Sequence, residues 1–300
     1  MLFLYNIFQF QYYIDISIME EYEKIETALL EGVEKYEIYI NKILSKGTNT
    51  TIYIGRKIKN NENIVIKKLE ITNKTTTLQM QEIVTETSIS NFLKNKKSDN
   101  IVKIIDIIEN FDNTYIIMEY YEGGNLLDLM INKKIDNNNI KIYFNQILNA
   151  ISFLNDNNIV HGDIKPENIL LTIDKKNIKI CDFCFAKKIN NIDKNLLVRG
   201  SPLYMPPELL NNNYNMFQSD IWALGMILYE MIFGYHPLKK CKDINDLKIE
   251  ILELNKKIDN HDINNIDKSC IELLKRMLDI NVDNRITLND IKNHDWIKLF

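Results

Sequence analysis

The chain has 300 residues, 45% of them hydrophobic, with Lys+Arg 37 against Asp+Glu 41 and a formal net charge of -4. This near-balance leaves no electrostatic footprint for nucleic acid or an anionic membrane, and the apolar share suffices for one or two packed domains rather than a disordered chain. Four cysteines, Cys181, Cys184, Cys241 and Cys270, form no disulfide framework, which points to a reducing, cytoplasmic compartment; the Cys181/Cys184 pair lacks the second pair a zinc site needs.

Residues 1–18 are apolar and aromatic, but they carry no basic leader and no small-residue cleavage site, and Asn6, Gln9, Gln11 and Asp15 interrupt the run. No signal peptide or clear membrane segment follows from them. Met19 opens an ordinary helical sequence, so an over-extended start and a membrane-surface anchor both stay open, and residues 1–36 are read as an extension. From Tyr36 the alternation EIYINKIL and then TIYIGRKI predicts two strands joined by a turn over residues 45–50. A third strand, 64–67, ends in Lys67, an unusual residue to close an apolar run. The spacing predicts a helix over 78–93, on which Glu82 and Glu86 are candidate partners for that lysine; Glu86 sits better, because Ile89 and Leu93 then share its inner face. Strands are expected at 101–105 and 115–119. The segment Glu122-Gly123-Gly124-Asn125 is a turn before a helix. Asn139 is the expected cap of a helix whose core stripe is Ile140, Tyr143, Phe144, Ile147, Leu148 and Ile151.

That helix leads into His161-Gly-Asp-Ile-Lys-Pro-Glu-Asn168. Two short β-branched runs, 169–172 and 178–181, flank the polar turn 174–177 and predict a hairpin that brings Asn168 near Asp182. One carboxylate and one amide carbonyl suit a hard cation such as Mg2+, which fills its remaining sites with phosphate oxygens and water. Asp163, left off the metal, can orient a hydroxyl and accept its proton, while Lys165 neutralises a phosphoryl group in transfer. Further on, residues 220–233 are apolar nearly all round, too short and too acidic at the ends for a membrane, and are read as a buried helix closed by Gly234. Thr287 and Asp290 predict the N-cap of the final helix.

In these residues the chain resembles the eukaryotic protein kinases, whose catalytic loop reads HRDxKxxN and whose metal segment reads DFG; here they are HGDIKPEN and Asp182-Phe183-Cys184. The resemblance covers residues 37–300. It implies a bilobal α+β fold, an antiparallel sheet with one helix over 37–118 followed by a hinge and a larger helical lobe over 119–300. It implies ATP and Mg2+ as cofactors, a protein substrate, and no nucleic acid. Asp163, Lys165, Asn168 and Lys67 become catalytic residues, with Asn168 and Asp182 on the metal. Ser45, Gly47 and Thr50 fall where the Gly-rich loop has its glycines, Ile52 at its valine, and Lys67 at the phosphate-holding lysine paired with Glu86. Val65, Met118, Leu170 and the backbone of Glu119 and Tyr121 would border the adenine, and Asn125 would face the ribose. Ser201, in the Gly200–Glu208 stretch GSPLYMPPE, would bond near Asp163 and Lys165, Asp220 would hold the catalytic-loop backbone, and Arg285 would pair with Glu208. Lys165 and GSPLY are similar to serine/threonine rather than tyrosine kinases, and Glu167 and Glu230 occupy positions that suit Arg upstream of the acceptor.

The departures are as informative as the matches. One loop glycine of three remains, Cys184 replaces the DFG glycine, Ser90 stands where an apolar residue is usual, and Gly162 replaces the loop arginine. Between Phe183 and Gly200 there is no Ser, Thr or Tyr, so neither a phosphate nor its arginine receptor is present. A pseudokinase, binding nucleotide or scaffolding without transfer, is the rival reading; a dead enzyme, however, has no physical need of Lys67, Asp163, Asn168 and Asp182 together.

Overall fold

The structure is a computed structural model that describes residues 24–25, 35–133, 135–189, 200–210, 216–261 and 265–298, with side chains described from residue 35 onward. The readings for residues 1–18 lie outside the described residues. Its contacts divide the chain into two units, one reaching Lys97 and resuming over Val102–Tyr120, the other made of Ser98–Ile101 and Tyr121–Phe300.

The first unit is an antiparallel sheet in the order β1-β2-β3-β4-β6-β5, built from β1 (Lys24–Ile25), β2 (Tyr36–Lys46), β3 (Thr50–Lys57), β4 (Asn63–Glu70), β5 (Ile104–Glu109) and β6 (Asn113–Glu119). Lys24 and Ile25 belong to a stretch expected to be helical; they pair instead with Tyr39 and Ile38 and satisfy part of the open edge of β2. The hairpin turn is shorter than predicted, because Ser45 and Thr50 both join the ladder and Ser45 lies opposite Ile52. Period-2 alternation sorts β4 between two faces. Ile64 and Ile66 enter a core with Tyr36, Ile38 and Ile117, which leaves Val65 and Lys67 on the other face. Helix α1 (Thr77–Lys94) packs on β5 and β6. Its start is a capping box, in which Thr76 accepts from the Gln79 amide while the Gln79 side chain accepts from the Thr76 amide. The strand expected at 101–105 begins later, at Ile104, because Ile101 bridges to Ile180 in the second unit.

The second unit is mainly helical. Helices α2 (Leu126–Asn132) and α3 (Asn137–Asp156) are followed by the two-residue β7 (Ile159–Val160), the catalytic-loop stretch, and the hairpin β8 (Ile169–Leu171) and β9 (Ile178–Ile180). The cap of α3 is Asp136, not Asn139: the Asp136 carboxylate accepts from the Asn139 amide at 2.9 Å, and Asn139 lies in the first turn. The core stripe of α3 is buried as predicted. Then come β10 (Lys187–Lys188), α4 (Pro207–Leu210), α5 (Met216–Phe233), α6 (Ile244–Leu252), α7 (Leu254–Asp259) and α8 (Lys268–Met277). The buried helix α5 starts one turn before the predicted Asp220, packs on α3 and α8, and ends at Gly234, whose φ of +78° suits a glycine. Thr287 does cap a helix, α9 (Leu288–Lys292), but the predicted last helix is broken at Asn293 and continues as α10 (Asp295–Lys298). No helix among the described residues is long and apolar enough to cross a membrane.

Candidate active site

Within the first unit, strand register gathers the predicted nucleotide residues on one sheet face. Ser45 lies opposite Ile52, Ile52 opposite Lys67, and Val65 opposite Met118. Lys67 and Glu86 are both buried, and the Lys67 ammonium donates to Glu86 Oε1. That settles the choice between Glu82 and Glu86. A buried pair of this kind fixes geometry more than it adds stability. Gly47 lies in the shortened turn, its amide donating to the Thr50 carbonyl at 2.7 Å; it has no positive φ, and its Cβ position is uncrowded. The Glu119 amide donates to the Lys103 carbonyl at 3.0 Å, so only its carbonyl is left for an adenine edge.

Within the second unit the catalytic loop is held from below by α5. Asp220 accepts from the His161 amide at 2.8 Å and from the Gly162 amide at 2.9 Å. Burial raises the Asp220 pKa, against the pull of His161 and of these two amides. The His161 ring, fully buried, accepts from the Asp163 amide at Nδ1, 3.3 Å; its Nε2–H therefore donates to the Cys181 carbonyl, 3.0 Å away, and its ring packs on Phe183. One histidine thus ties the loop carrying Asp163 to the strand end carrying Asp182. The sequence reading gave His161 no role, although its place between the loop and the hairpin was visible.

Asp163 is buried and surrounded by donors. Its Oδ1 accepts from the Ser201 amide at 2.7 Å, and its Oδ2 from Asn168 Nδ2 at 3.2 Å and the Lys165 ammonium at 2.9 Å. Lys165 also donates to Ser201 Oγ at 2.8 Å. Burial alone would lower the Lys165 pKa, but the Asp163 carboxylate, with Glu167 and Asp182, outweighs it and holds the ammonium above its usual range. Asn168 donates from the same nitrogen to the Asp163 carbonyl at 2.9 Å, so its side-chain oxygen is the atom that could ligate a metal ion. Asp182 takes a left-handed φ of +66°, a strained setting for a residue with a side chain. The Cys181 amide donates to the Asn168 carbonyl at 2.9 Å, so the hairpin brings the backbone of Asn168 to the residue just before Asp182. Asn125 bridges to Leu170 through the backbone, and its side chain is engaged as the cap of α2, accepting from the Asp128 amide at 2.8 Å.

Two glycines let the chain close around this loop. Gly162 has a φ of +75°, and a Cβ there would stand 2.8 Å from the Phe185 carbonyl oxygen; a Cβ on Gly200, φ +123°, would stand 2.7 Å from the Gly162 carbonyl oxygen. The predicted Arg285–Glu208 pair is made, with Arg285 gripping both oxygens at 2.6 and 2.8 Å; Tyr204, which the sequence did not pair, donates to Glu230 Oε1 at 2.6 Å. His236, facing Glu230, was missed by sequence reading; its place in Gly-Tyr-His-Pro, directly after a buried helix, was the available signal.

Comparison with known proteins agrees with this geometry. A model of the protein kinase domain matches residues 38–297. The chain is 31% identical over 258 residues to the serine/threonine-protein kinase ULK3 of Homo sapiens, covering 85% of this chain and 54% of that protein. It is 34% identical over 272 residues to the serine/threonine-protein kinase atg1 of Dictyostelium discoideum, covering 87% and 39%. It is 30% identical over 271 residues to the CBL-interacting protein kinase 10 of Oryza sativa subsp. japonica, covering 89% and 58%. The chain spans about half the length of the curated relatives it matches. With the family model across nearly the whole described chain, the chain belongs to the protein kinase family.

Proposed function

We propose that this chain is an active serine/threonine protein kinase that transfers the γ-phosphate of ATP to Ser/Thr hydroxyls of proteins, needs no phosphate on its activation segment, and favours acceptors with Arg upstream. The observation that carries the reading is the set of donors on Asp163 from Ser201, Asn168 and Lys165. A carboxylate held this way is fixed to orient a hydroxyl and take its proton, and the Lys165 ammonium beside it counters charge on the moving phosphoryl group. Lys67, fixed by Glu86, serves the α and β phosphates. The Asn168 carbonyl and the Asp182 carboxylate are oxygen donors of the kind Mg2+ takes. Bound there, the ion would neutralise phosphate oxygens. Ser45, Gly47, Ile52, Val65, Met118, Glu119, Tyr121, Asn125 and Leu170 are assigned to the nucleotide. The four free thiols suit a reducing, cytoplasmic setting.

Three contacts support independence from phosphorylation. Lys187 and Lys188 pair with Val160 and Ile159, Phe185 lies against Gly162, and Ser201 bonds Asp163. They fasten both ends of the segment to the catalytic loop with backbone and a serine, where many kinases use a phosphate and an arginine. The stretch between them, residues 190–199, lies outside the described residues. A pseudokinase reading draws on Gly47, the last loop glycine, which sits in a turn that asks nothing special of its backbone. Incubation with ATP, Mg2+ and a peptide library separates the two. Phosphate on Ser and Thr, strongest with Arg upstream, is expected; nucleotide binding without transfer supports the pseudokinase, and acidic or proline-directed selectivity refutes the substrate assignment.

A further inference from the structure

Beside the catalytic loop of the second unit lies a small polar cluster that phosphotransfer itself does not use. Glu230, near the end of α5, is 6% exposed, and its Oε1 accepts the Tyr204 hydroxyl at 2.6 Å. The turn that begins at Gly234 then brings His236 back over the same carboxylate, with Nε2 at 3.7 Å from Oε1. His236 is 8% exposed, and its ring meets the Tyr204 ring edge-on at 4.9 Å. Its tautomer follows from the backbone: the Leu238 amide donates to Nδ1 at 3.0 Å, so the proton of the neutral ring sits on Nε2. Among the described residues no acceptor meets that N–H at full hydrogen-bonding geometry, the Leu203 carbonyl giving it only a looser contact, which is unusual for a buried polar group. It points at a carboxylate slightly beyond bonding distance.

We propose that His236 is a positioning residue for substrate selectivity: its Nε2–H becomes the second donor to Glu230 when the guanidinium of an upstream arginine brings that carboxylate into its ionised form. The inference deepens the reading of Glu230 and Glu167 as an arginine subsite and rests on it. Without substrate, ionised Glu230 has too little to support it. Burial first, and then the negative charge of Glu167, push its pKa up to about 8 despite the Tyr204 hydrogen bond. His236 cannot supply the missing charge, since burial, together with Lys257 and Lys239 and against a contact with the Leu203 backbone, pushes its own pKa down to about 3. It can supply a hydrogen bond. An arriving guanidinium has Oε2 to bind, because both Tyr204 and His236 face Oε1. The carboxylate then ionises, and the His236 N–H gains an acceptor at full hydrogen-bonding geometry. A donor left poorly paired until the correct ligand arrives favours that ligand over one that leaves it so.

Steady-state kinetics on two peptides tests this, one with Arg upstream of the acceptor serine and one with Ala in its place. His236→Phe keeps an aromatic ring against Tyr204 and removes the donor. KM for the Arg peptide should rise about tenfold, the equivalent of one hydrogen bond to a charged group, with kcat for that peptide changing by less than about twofold. KM for the Ala peptide should stay as it was. His236→Gln, which restores an N–H at similar reach, should recover most of the loss and guards against a folding defect in the first variant. An equal rise in KM for both peptides would mean a structural role and overturn the proposal, as would an unchanged KM for the Arg peptide. Loss of Arg selectivity in Glu230→Gln is expected as well. If Glu230→Gln and wild-type protein treat the two peptides alike, the arginine subsite itself fails, a result distinct from failure of His236 within a working subsite.

Discussion

Cys184 follows Asp182 directly, where the family has a glycine that lets the Asp-Phe pair flip. Among the described residues, the non-glycine positions with positive φ are Asn61, Asn158, Lys175 and Asp182, so the strain sits on Asp182 and the backbone of Cys184 is open to any side chain. We expect Cys184→Gly to leave Mg2+ binding intact and to change turnover only modestly, about twofold to threefold, by loosening the Asp182 conformation. Complete loss of turnover would mean that the thiol takes part directly. Glu230 carries a second residue-scale expectation. It titrates near 4.5 when unfolded and about 8 when folded, so the folded state holds the proton more tightly. That contribution is fully present below the unfolded pKa and is lost as pH rises through the folded one. Glu230→Gln removes the titration, and its Tm should therefore gain on wild type steadily from about pH 5 to about pH 9. A constant gap across that range would contradict the raised pKa.

At the scale of elements, Arg285 joins α4, α5 and the turn at Asp279. It holds both oxygens of Glu208, donates to the Gln218 carbonyl at 3.1 Å and the Asp279 carbonyl at 3.1 Å, and lies over the Trp222 ring at 4.9 Å. Arg285→Leu would leave Glu208 charged and buried, and should cost roughly 3–5 kcal/mol in urea unfolding; a cost below about 1 kcal/mol would show that the pair is dispensable. The activation segment makes the regulatory claim testable in the same way. Protein freed of phosphate by a phosphatase should transfer phosphate as fast as untreated protein, with no phosphorylated residue found by mass spectrometry between Phe183 and Gly200. A marked drop traced to Ser201 or Tyr204 would contradict it. Much of this level was legible in the sequence. The all-round apolarity of α5, the stripe of α3 and the β-branched runs around residues 174–177 each have one packing solution. The misses have a common cause, that several residues of one type compete for a position and only tertiary contacts choose. Four Asx residues in a row, Asp136-Asn-Asn-Asn139, can each cap α3, and the cap is whichever precedes the first turn. Ile101 and Ile104 can each open a strand, and pairing with Ile180 takes Ile101 away from β5.

At the scale of the molecule, the two units each carry half of the predicted chemistry, the Lys67–Glu86 pair in the sheet unit and the Asp163–Asn168–Asp182 group in the helical one. The candidate catalytic residues stood out in the sequence because phosphoryl transfer demands particular types at fixed spacings. The role of His236 was not, because it depends on a hydrogen atom placed by the Leu238 amide and on a turn that folds back onto α5. The central claim is that this constellation performs transfer and does more than bind nucleotide. Its most direct test compares wild type with Asp163→Asn, both phosphatase-treated, for ATP affinity and for phosphate transferred to a serine peptide. The account expects equal ATP affinity and a fall in transfer of about 10²–10⁴-fold in the variant, from loss of the positioned base. Wild-type-like transfer by Asp163→Asn, or no transfer by either protein despite ATP binding, would contradict it.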